Sequence, residues 1–580
     1  MKKLILLLLI INFSCTTSEK KPNADFTTKF EKSEGTETTT YIETIEYFKE
    51  LANSYPEISL SEIGETDSGN PLNLVVFNSS KEFDFSKISS TKNTILINNA
   101  IHPGESDGVD ATMLLLRDIV QDKNKLEQFK NIVIAVIPIY NIGGTLNRNN
   151  HSRANQNGPK EYGFRGNARN FDLNRDFIKA DTKNALSFSK IYHLVQPDIF
   201  IDNHVSNGAD YQYGITHLFT QHNKLGNNIG KFLENEMRPN IEASLLKKDI
   251  IITPYVNVWG KTPEEGFSQF FDSPRYSSGY TTLFNTLGFM VETHMLKPYK
   301  QRVEQTYSFM ESTLEFLVEN GTKIKELRNS AIAEILDKKT YPISYELDSE
   351  TFSTLEFKGY EGSYIDSKVT NGKRLFYDRT KPYTKPVKYY NTFKVTNEIE
   401  IPKAYILKQG WWKVLERLKA NNIRYKTFSK DTTISVQVQH IKDYKTVTNP
   451  YESHYPHYNT TVSTSKKSVT FLKGDSYIPV NQKGARYIME TLEASATDSF
   501  FNWNFFDSIL QRKEGYSAYV FEDIAEEYLN NNFVLKLNFD EKMKSEEDFA
   551  KNPREQLDFI YKNSPYYEQA YLKLPVYKVF

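Results

Sequence analysis

The segment Thr94-Ile-Leu-Ile-Asn-Asn-Ala-Ile-His-Pro-Gly-Glu105 combines a short apolar run with a tight turn. The run from Ile95 to Ile97 predicts a buried strand. Proline lacks a backbone N–H and glycine tolerates unusual dihedral angles, so the Pro-Gly pair predicts a turn directly after that strand. His102 and Glu105 flank the turn, and an imidazole and a carboxylate presented together at a strand end suit a metal ion better than a hydrophobic core.

Length and composition limit the possible architecture. The chain has 580 residues, too many for one hydrophobic core, so two or more domains are expected. Hydrophobic residues make up 39% and charged residues 25%, as in a typical globular protein. The formal net charge is −1, so no basic field indicates a nucleic-acid partner. The oligomeric state remains unknown from sequence.

The N-terminus has the pattern of an export signal. Met1-Lys-Lys is basic, and Leu4 to Ile11 is an aliphatic run too short to span a bilayer. Cys15, the single cysteine of the chain, follows it and resembles the lipidated cysteine of a bacterial lipoprotein. Ser14 before it is suitably small, whereas Asn12 stands where an aliphatic residue is usual. An ordinary secretory signal with an incidental cysteine is the alternative.

These features predict three consecutive segments. Residues 1–15 are expected to be a lipoprotein-type signal peptide, and the polar residues 16–37 a flexible tether. The protein is then expected to be exported and held in the bacterial cell envelope by a lipid anchor in the membrane at Cys15.

Strand and helix patterns alternate up to about residue 335. Strands are predicted at Ile58–Ile63, Leu72–Phe77, Ile95–Ile97, Ile132–Tyr140, Asp198–Asn203 and Leu287–Glu292. Helices are predicted at Thr39–Tyr55, Asp107–Asp122, Ala185–Leu194, Leu225–Lys248 and Val303–Leu336, the last broken near Gly321. The alternation predicts an α/β domain over 38–335, with a mostly parallel or mixed central sheet and flanking helices. Strand-like alternation after it predicts a β-rich C-terminal extension of unknown role over 336–580.

Polar residues end three of the predicted strands. His102, His204 and Glu292 each follow an apolar run. Ligands of such sheets bind at the carboxyl ends of strands, so these residues are expected to converge. Catalytic zinc takes three ligands such as His and Glu and leaves a position open, and His102, Glu105 and His204 make such a set. Taken singly, each also fits an ordinary surface turn or a hydrogen-bonded loop histidine.

The long polar loop 141–181 and the Glu292 strand supply further candidates. Asp172 could accept a hydrogen bond from a ligand histidine. Asn174 and Arg175 place an amide beside a guanidinium, which suits a carboxylate. Glu292 could act as a general base. Turn, solvated-loop or solvent-facing roles are the alternatives for each.

Together these motifs resemble a known family. The elements His102-Pro-Gly-Glu105, Asp172-Leu-Asn-Arg175, His204 and a Val-Glu pair ending at Glu292 are similar in order and spacing to the M14 zinc carboxypeptidases of the carboxypeptidase A type. The resemblance covers about residues 38–330. It implies one zinc ion per chain, held by His102, Glu105 and His204, with Asp172 orienting His102, Asn174 and Arg175 holding a terminal carboxylate, and Glu292 activating water.

Two further roles are implied by the resemblance. Arg165 is expected to polarise the scissile carbonyl, with Arg153 as the alternative. Either Tyr276 or Tyr280 is expected to cap the substrate. The residues that select the terminal side chain are expected within 252–280.

The activity implied is removal of C-terminal residues from peptides with a free C-terminus. Two alternatives remain: a zinc-dependent amidase or esterase acting on a non-peptide or cell-wall substrate, and an inactive binding lipoprotein.

Overall fold

The computed structural model describes residues 25–88 and 91–580. Its strands are β1 (Ile58–Glu65), β2 (Pro71–Phe77), β3 (Asn93–Asn98), β4 (Ile132–Ile137), β5 (Ile199–Ser206), β6 (Ile215–Phe219), β7 (Ile252–Pro254), β8 (Phe267–Ser268), β9 (Leu287–His294), β10 (Thr340–Leu347), β11 (Ser353–Asp366), β12 (Lys373–Tyr390), β13 (Phe393–Glu400), β14 (Ala404–Leu407), β15 (Lys426–Thr427), β16 (Thr432–Thr446), β17 (His457–Phe471), β18 (Ser476–Pro479) and β19 (Lys573–Val579).

Its α-helices are α1 (Lys29–Lys32), α2 (Tyr41–Ser54), α3 (Phe85–Ile88), α4 (Asp107–Gln121), α5 (Lys123–Gln128), α6 (Ile142–Leu146), α7 (Lys183–Val195), α8 (His222–Leu225), α9 (Asn227–Phe232), α10 (Arg238–Leu246), α11 (Ser277–Thr282), α12 (Tyr299–Asp337), α13 (Trp412–Ala420), α14 (Ala485–Leu492), α15 (Ala518–Asn531), α16 (Phe533–Ser545), α17 (Glu547–Ala550) and α18 (Pro553–Lys562). A π-helical turn, Leu233–Met237, joins α9 to α10, and short 3-10 helices lie at Leu173–Arg175, Pro263–Glu265, Gln409–Trp411 and Asp507–Leu510.

Eight strands form the central sheet, in the order β1-β2-β4-β3-β5-β9-β6-β7. The middle strands β4, β3, β5 and β9 are parallel. On the two sides, β2 is antiparallel to β4 and β6 is antiparallel to β9. Strand β4 is apolar and fully buried, as expected for a parallel strand covered on both faces. This mixed sheet with flanking helices confirms the predicted α/β architecture.

Alternate residues of each strand face different layers. Ile95 and Ile97 of β3 belong to a core shared with α4 and α12, whereas Leu96 belongs to a second core shared with α7 and the C-terminal region. Phe200 stands opposite Leu96 in the β3–β5 register and shares its face. By the same alternation, His204 lies on the face of the second core.

Several element boundaries differ from the predictions. The β5–β9 ladder continues to the pair Ser206–His294, so His204 lies inside its strand rather than after it, and Glu292 lies inside its strand rather than at its last residue. Strand β4 ends at Ile137 instead of continuing to Tyr140.

Helix α12 is continuous across Gly321, where a break was predicted. Asn93 Nδ2 donates to the Gly321 carbonyl over 2.8 Å. A Cβ at position 321 would lie 2.2 Å from Asn93 Oδ1. The glycine therefore permits close packing of β3 against α12 and does not end the helix.

The C-terminal region is rich in strands, as predicted. It contains the pair β10-β13, the sheet β11-β12-β8 and the six-stranded sheet β15-β18-β14-β19-β16-β17. The predicted boundary near residue 335 falls at the end of α12, yet the two parts share one core, in which Phe188 and Tyr280 belong to the same cluster as Tyr405 and Tyr487. Strand β8 of the first part also pairs with β12 of the second.

Residues 25–37, predicted to belong to the tether, pack on the first domain. Phe26 and Phe30 are buried in its core, and Glu31 pairs with Arg117 over 2.6 Å. Burial of these two aromatic side chains is favourable, so this part of the predicted tether packs on the domain although the rest of the segment is polar. The predicted signal peptide and Cys15 lie outside the described residues. Among residues 25–88 and 91–580, no helix has both the length and the apolar character needed to cross a bilayer.

Candidate active site

The Pro-Gly turn brings His102 and Glu105 together. Strand β3 ends at Asn98, and Glu105 N donates to His102 O over 2.8 Å to close the turn. His102 Nδ1 then lies 3.2 Å from Glu105 Oε2. A Cβ at Gly104 would lie 2.4 Å from Arg153 Cδ, so the glycine also permits the arginine to approach.

The parallel register of β5 and β9 supplies two more of the predicted groups. His204 stands directly opposite Glu292, and their side chains share one face of the sheet. His204 Nδ1 lies 3.1 Å from Glu105 Oε2. His102, Glu105 and His204 are all buried, and their ligand atoms lie within 4.8 Å of one another.

The donor atoms of this cluster fit a zinc ion. His102 Nδ1 is buried and makes no hydrogen bond, an arrangement that is costly unless a ligand binds the nitrogen. Two imidazoles and one carboxylate are a donor set of catalytic zinc, which keeps a further position open. Three residues of the chain can therefore hold the ion.

Both imidazoles have a carboxylate at their other nitrogen. His102 Nε2 lies 3.0 Å from Asp172 Oδ1, and His204 Nε2 lies 2.9 Å from Asp202 Oδ2. The hydrogen bond between His102 and Asp172 fixes the ring orientation and leaves Nδ1 for a metal, whereas Asp202 lies close to His204 Nε2 without hydrogen-bond geometry. Asp202 was missed from the sequence, although its place two residues before His204 on a strand puts both side chains on one face.

The two candidate arginines both approach Glu105 but differ in their other contacts. Arg153 Nη1 lies 2.6 Å from Glu105 Oε1, while its Nε donates to Gln156 and its Nη2 to the Val205 carbonyl. Arg165 is held by Asp172 Oδ2 at 2.8 Å and is 44% exposed, against 14% for Arg153. Arg165 is therefore the more exposed of the two arginines that line this site.

Asn174 and Arg175 lie on a 3-10 turn that Asp172 begins, since Asp172 Oδ1 accepts from Asn174 N over 2.9 Å. Arg175 packs its guanidinium on the Tyr276 ring, 4.5 Å from the ring centre. Asn174 Oδ1 accepts from Ser277 N over 3.1 Å. The amide and guanidinium are thus held side by side by two separate segments.

These side chains line one cavity of about 590 Å³. The predicted residues that line it are His102, Glu105, Arg153, Arg165, Asn174, Arg175, His204, Tyr276 and Glu292. Tyr280 is fully buried elsewhere and donates to Asn421 Oδ1 over 2.5 Å, so burial excludes it as the capping tyrosine. Lining residues that sequence reasoning missed include Leu218 and Met290, while Tyr255, Trp259 and Phe270 fall within the predicted range 252–280.

Glu292 has the environment of a general base. Burial, together with the nearby Glu105 carboxylate and partly offset by His204, raises the pKa of Glu292 to about 7. A carboxyl group whose pKa lies near neutrality can both take and return a proton at physiological pH.

Part of the chain matches the model of a known protein family. Residues 44–198 match the model of the zinc carboxypeptidase family. The matched span contains His102, Glu105 and the Asp172–Arg175 segment and ends before His204 and Glu292. Over residues 44–198 this match confirms the predicted family resemblance, and the His102, Glu105 and His204 cluster fits the zinc cofactor that the resemblance implies.

Solved structures with related folds include three carboxypeptidases. The metallo-carboxypeptidase of Burkholderia cenocepacia has 16% identity and a TM-score of 0.35, and the match covers 46% of this chain and 66% of that protein, just under two thirds of its length. Carboxypeptidase A of Helicoverpa armigera has 15% identity, a TM-score of 0.37 and coverage of 48% and 74%. The metallo-carboxypeptidase of Pseudomonas aeruginosa has 12% identity, a TM-score of 0.36 and coverage of 48% and 68%. Among curated proteins, no sequence matches this chain.

Asp202→Asn tests the carboxylate that faces His204. The amide can still fill the space but loses the charge, so we expect zinc affinity to fall about 10- to 100-fold. Competition titration against a chelator measures the change. Asp249→Asn, on an exposed turn, is the matched control and is expected to bind zinc like the wild type. Unchanged affinity in Asp202→Asn would show that Asp202 does not orient the ligand.

Proposed function

We propose that this protein is a zinc-dependent carboxypeptidase that removes the last residue from peptides with a free C-terminus. The observation that supports it is the shared cavity, into which a carboxylate-binding pair, Asn174 and Arg175, and a basic carboxylate, Glu292, both open. A site for the terminal carboxylate next to the hydrolytic groups selects the last peptide bond over internal bonds.

Different residues of the chain have different roles in the proposed hydrolysis. Zinc bound at the His–Glu–His cluster supplies Lewis-acid chemistry that lowers the pKa of water and polarises a carbonyl. Glu292 takes a proton from the attacking water and then gives it to the leaving amine. Arg165 stabilises the negative charge that develops on the carbonyl oxygen. Arg175 pairs with the terminal carboxylate through charge-assisted hydrogen bonds.

The cavity wall near Asn174 suggests which side chain is removed. Asn174 Nδ2 lies 3.9 Å from Met290 Sδ, and Leu218 and Phe270 line the same cavity. These surfaces are apolar, and burying an apolar side chain against them is favourable. We therefore infer a preference for apolar C-terminal residues over charged ones.

Glu292→Gln separates metal binding from turnover. Glutamine keeps the shape of the side chain but cannot take a proton, so zinc content should be unchanged while kcat falls about 10²- to 10⁴-fold. Elemental analysis and peptide hydrolysis measure the two quantities. Glu265→Gln, at an exposed position of a 3-10 helix, is the matched control and should keep full activity. Retained turnover in Glu292→Gln would remove Glu292 from the mechanism.

Digestion of paired peptides, identical except for a free or amidated C-terminus, tests the mode of cleavage. Only the free acids should be shortened, from the C-terminus and fastest when the last residue is apolar, as read by mass spectrometry. Arg175→Ala should raise KM for the free acids about 10- to 100-fold, because a charged hydrogen bond is lost. Arg374→Ala, on the exposed part of β12, is the control. Cleavage of amides or of internal bonds would favour the amidase alternative.

We also propose that the protein is exported and anchored in the cell envelope by a lipid on Cys15. The basic start, the aliphatic run and the following cysteine support this. Cys15→Ser should abolish incorporation of a labelled fatty acid and move the protein from the membrane to the soluble fraction, whereas Ser14→Ala should leave both unchanged. Membrane retention and labelling of Cys15→Ser would contradict the anchor.

A further inference from the structure

The loop that joins β16 to β17 ends in an unusual turn. Tyr451 N donates to His454 O and His454 N to Tyr451 O, over 2.8 and 3.0 Å, which leaves Glu452 and Ser453 as the central residues of a two-residue hairpin. Their φ angles are 50° and 63°. A hairpin turn with both central residues at positive φ is type I′, which normally has Asn, Asp or Gly at these positions. A backbone conformation this unfavourable for Glu and Ser indicates a specific task for the turn.

The Glu452 side chain reaches the predicted substrate-binding segment. Glu452 Oε2 accepts a hydrogen bond from Asp172 N over 3.0 Å. Asp172 in turn contacts the ligand His102 through Oδ1 and accepts from Asn174 N. Glu452 is 280 positions from Asp172 in sequence. It therefore fixes the main chain that carries both Asp172, the partner of His102, and the Asn174–Arg175 pair.

The C-terminal region also holds Arg275, the residue before the cavity-lining Tyr276. Asp498, fully buried, accepts from Arg275 N over 2.9 Å and from Arg275 Nε over 2.8 Å. The Arg275 guanidinium lies over the rings of Trp503 and Tyr451. Arg275 precedes Tyr276, which packs on Arg175, so both sides of the carboxylate site are attached to the C-terminal region.

We propose that Glu452 is a positioning residue of the peptidase site, and that the C-terminal region, through this turn, sets the geometry of the Asp172–Arg175 segment. Glu452 does not line the cavity and acts through the Asp172 main chain. The kinetic part of this inference rests on the proposed carboxypeptidase function, whereas the structural part does not.

Two substitutions separate the turn from the hydrogen bond. Glu452→Asn suits a type I′ turn but is one methylene too short to reach Asp172 N, whereas Glu452→Gln keeps an oxygen at the same reach. Glu522→Asn, exposed on α15, is the matched control. All four zinc-loaded full-length proteins are compared by thermal melting, by hydrogen exchange of the peptide containing residues 171–175, and by hydrolysis of a free-acid peptide.

For Glu452→Asn we expect an unchanged Tm, roughly tenfold faster exchange at residues 171–175, and a KM raised about five- to tenfold with kcat within about twofold. Glu452→Gln and Glu522→Asn should behave like the wild type. Wild-type exchange and KM in Glu452→Asn would overturn the proposal, as would a lowered Tm with faster exchange throughout the chain. If the wild type hydrolyses no peptide, faster local exchange in Glu452→Asn still supports the positioning role, and the carboxypeptidase function alone fails.

Discussion

A single buried carboxylate, that of Glu105, holds the active site together. Its Oε2 lies within 3.2 Å of both imidazoles and accepts from Val205 N over 2.9 Å, while its Oε1 pairs with Arg153. A buried charge is costly unless it is paired and hydrogen-bonded. The turn after β3 brings His102 to this carboxylate, strand β5 brings His204 and the Val205 N–H, and the 141–181 loop brings Arg153. All three segments must therefore fold so that the buried charge of Glu105 is paired. A bound cation would pair with the same charge.

Local sequence signals predicted the parts of the site that lie close together in the chain. The Pro-Gly turn fixes His102 beside Glu105, and the Asp172-Leu-Asn-Arg175 order fixes the amide next to the guanidinium, because neighbouring residues on a tight turn have few arrangements. The pairing of His204 with Glu292 depends instead on the register of two strands 88 positions apart, from His204 to Glu292. Sequence patterns predict the existence of strands better than their ends, which is why both strands were predicted to end too early, at Asn203 and at Glu292.

Long-range packing explains the remaining differences. Gly321 is a helix breaker by propensity, yet its close contact with Asn93 requires glycine in an intact helix. Phe26 and Phe30 lie in a polar segment but pack in a core formed with helices that are distant in sequence. Near residue 335 the sequence changes from alternating helix and strand patterns to mainly strand patterns, but the apolar faces of the two parts are buried against each other. Composition along the chain reports local preferences and cannot reveal such a shared core.

The shared core bears on function through the loop 141–181. This loop has little regular structure, with only α6 and one 3-10 turn, and ordering each residue of such a segment costs about 1–2 kcal/mol of conformational entropy. A loop that must hold a carboxylate in one geometry binds best when that cost is met on folding instead of on binding. In the part of the chain that the structure describes, the cavity is lined only by residues between His102 and Met295, yet Asp172, Asp181 and Arg275 are held by Glu452, His454 and Asp498. The C-terminal region thus contributes order to the site without placing a side chain in it.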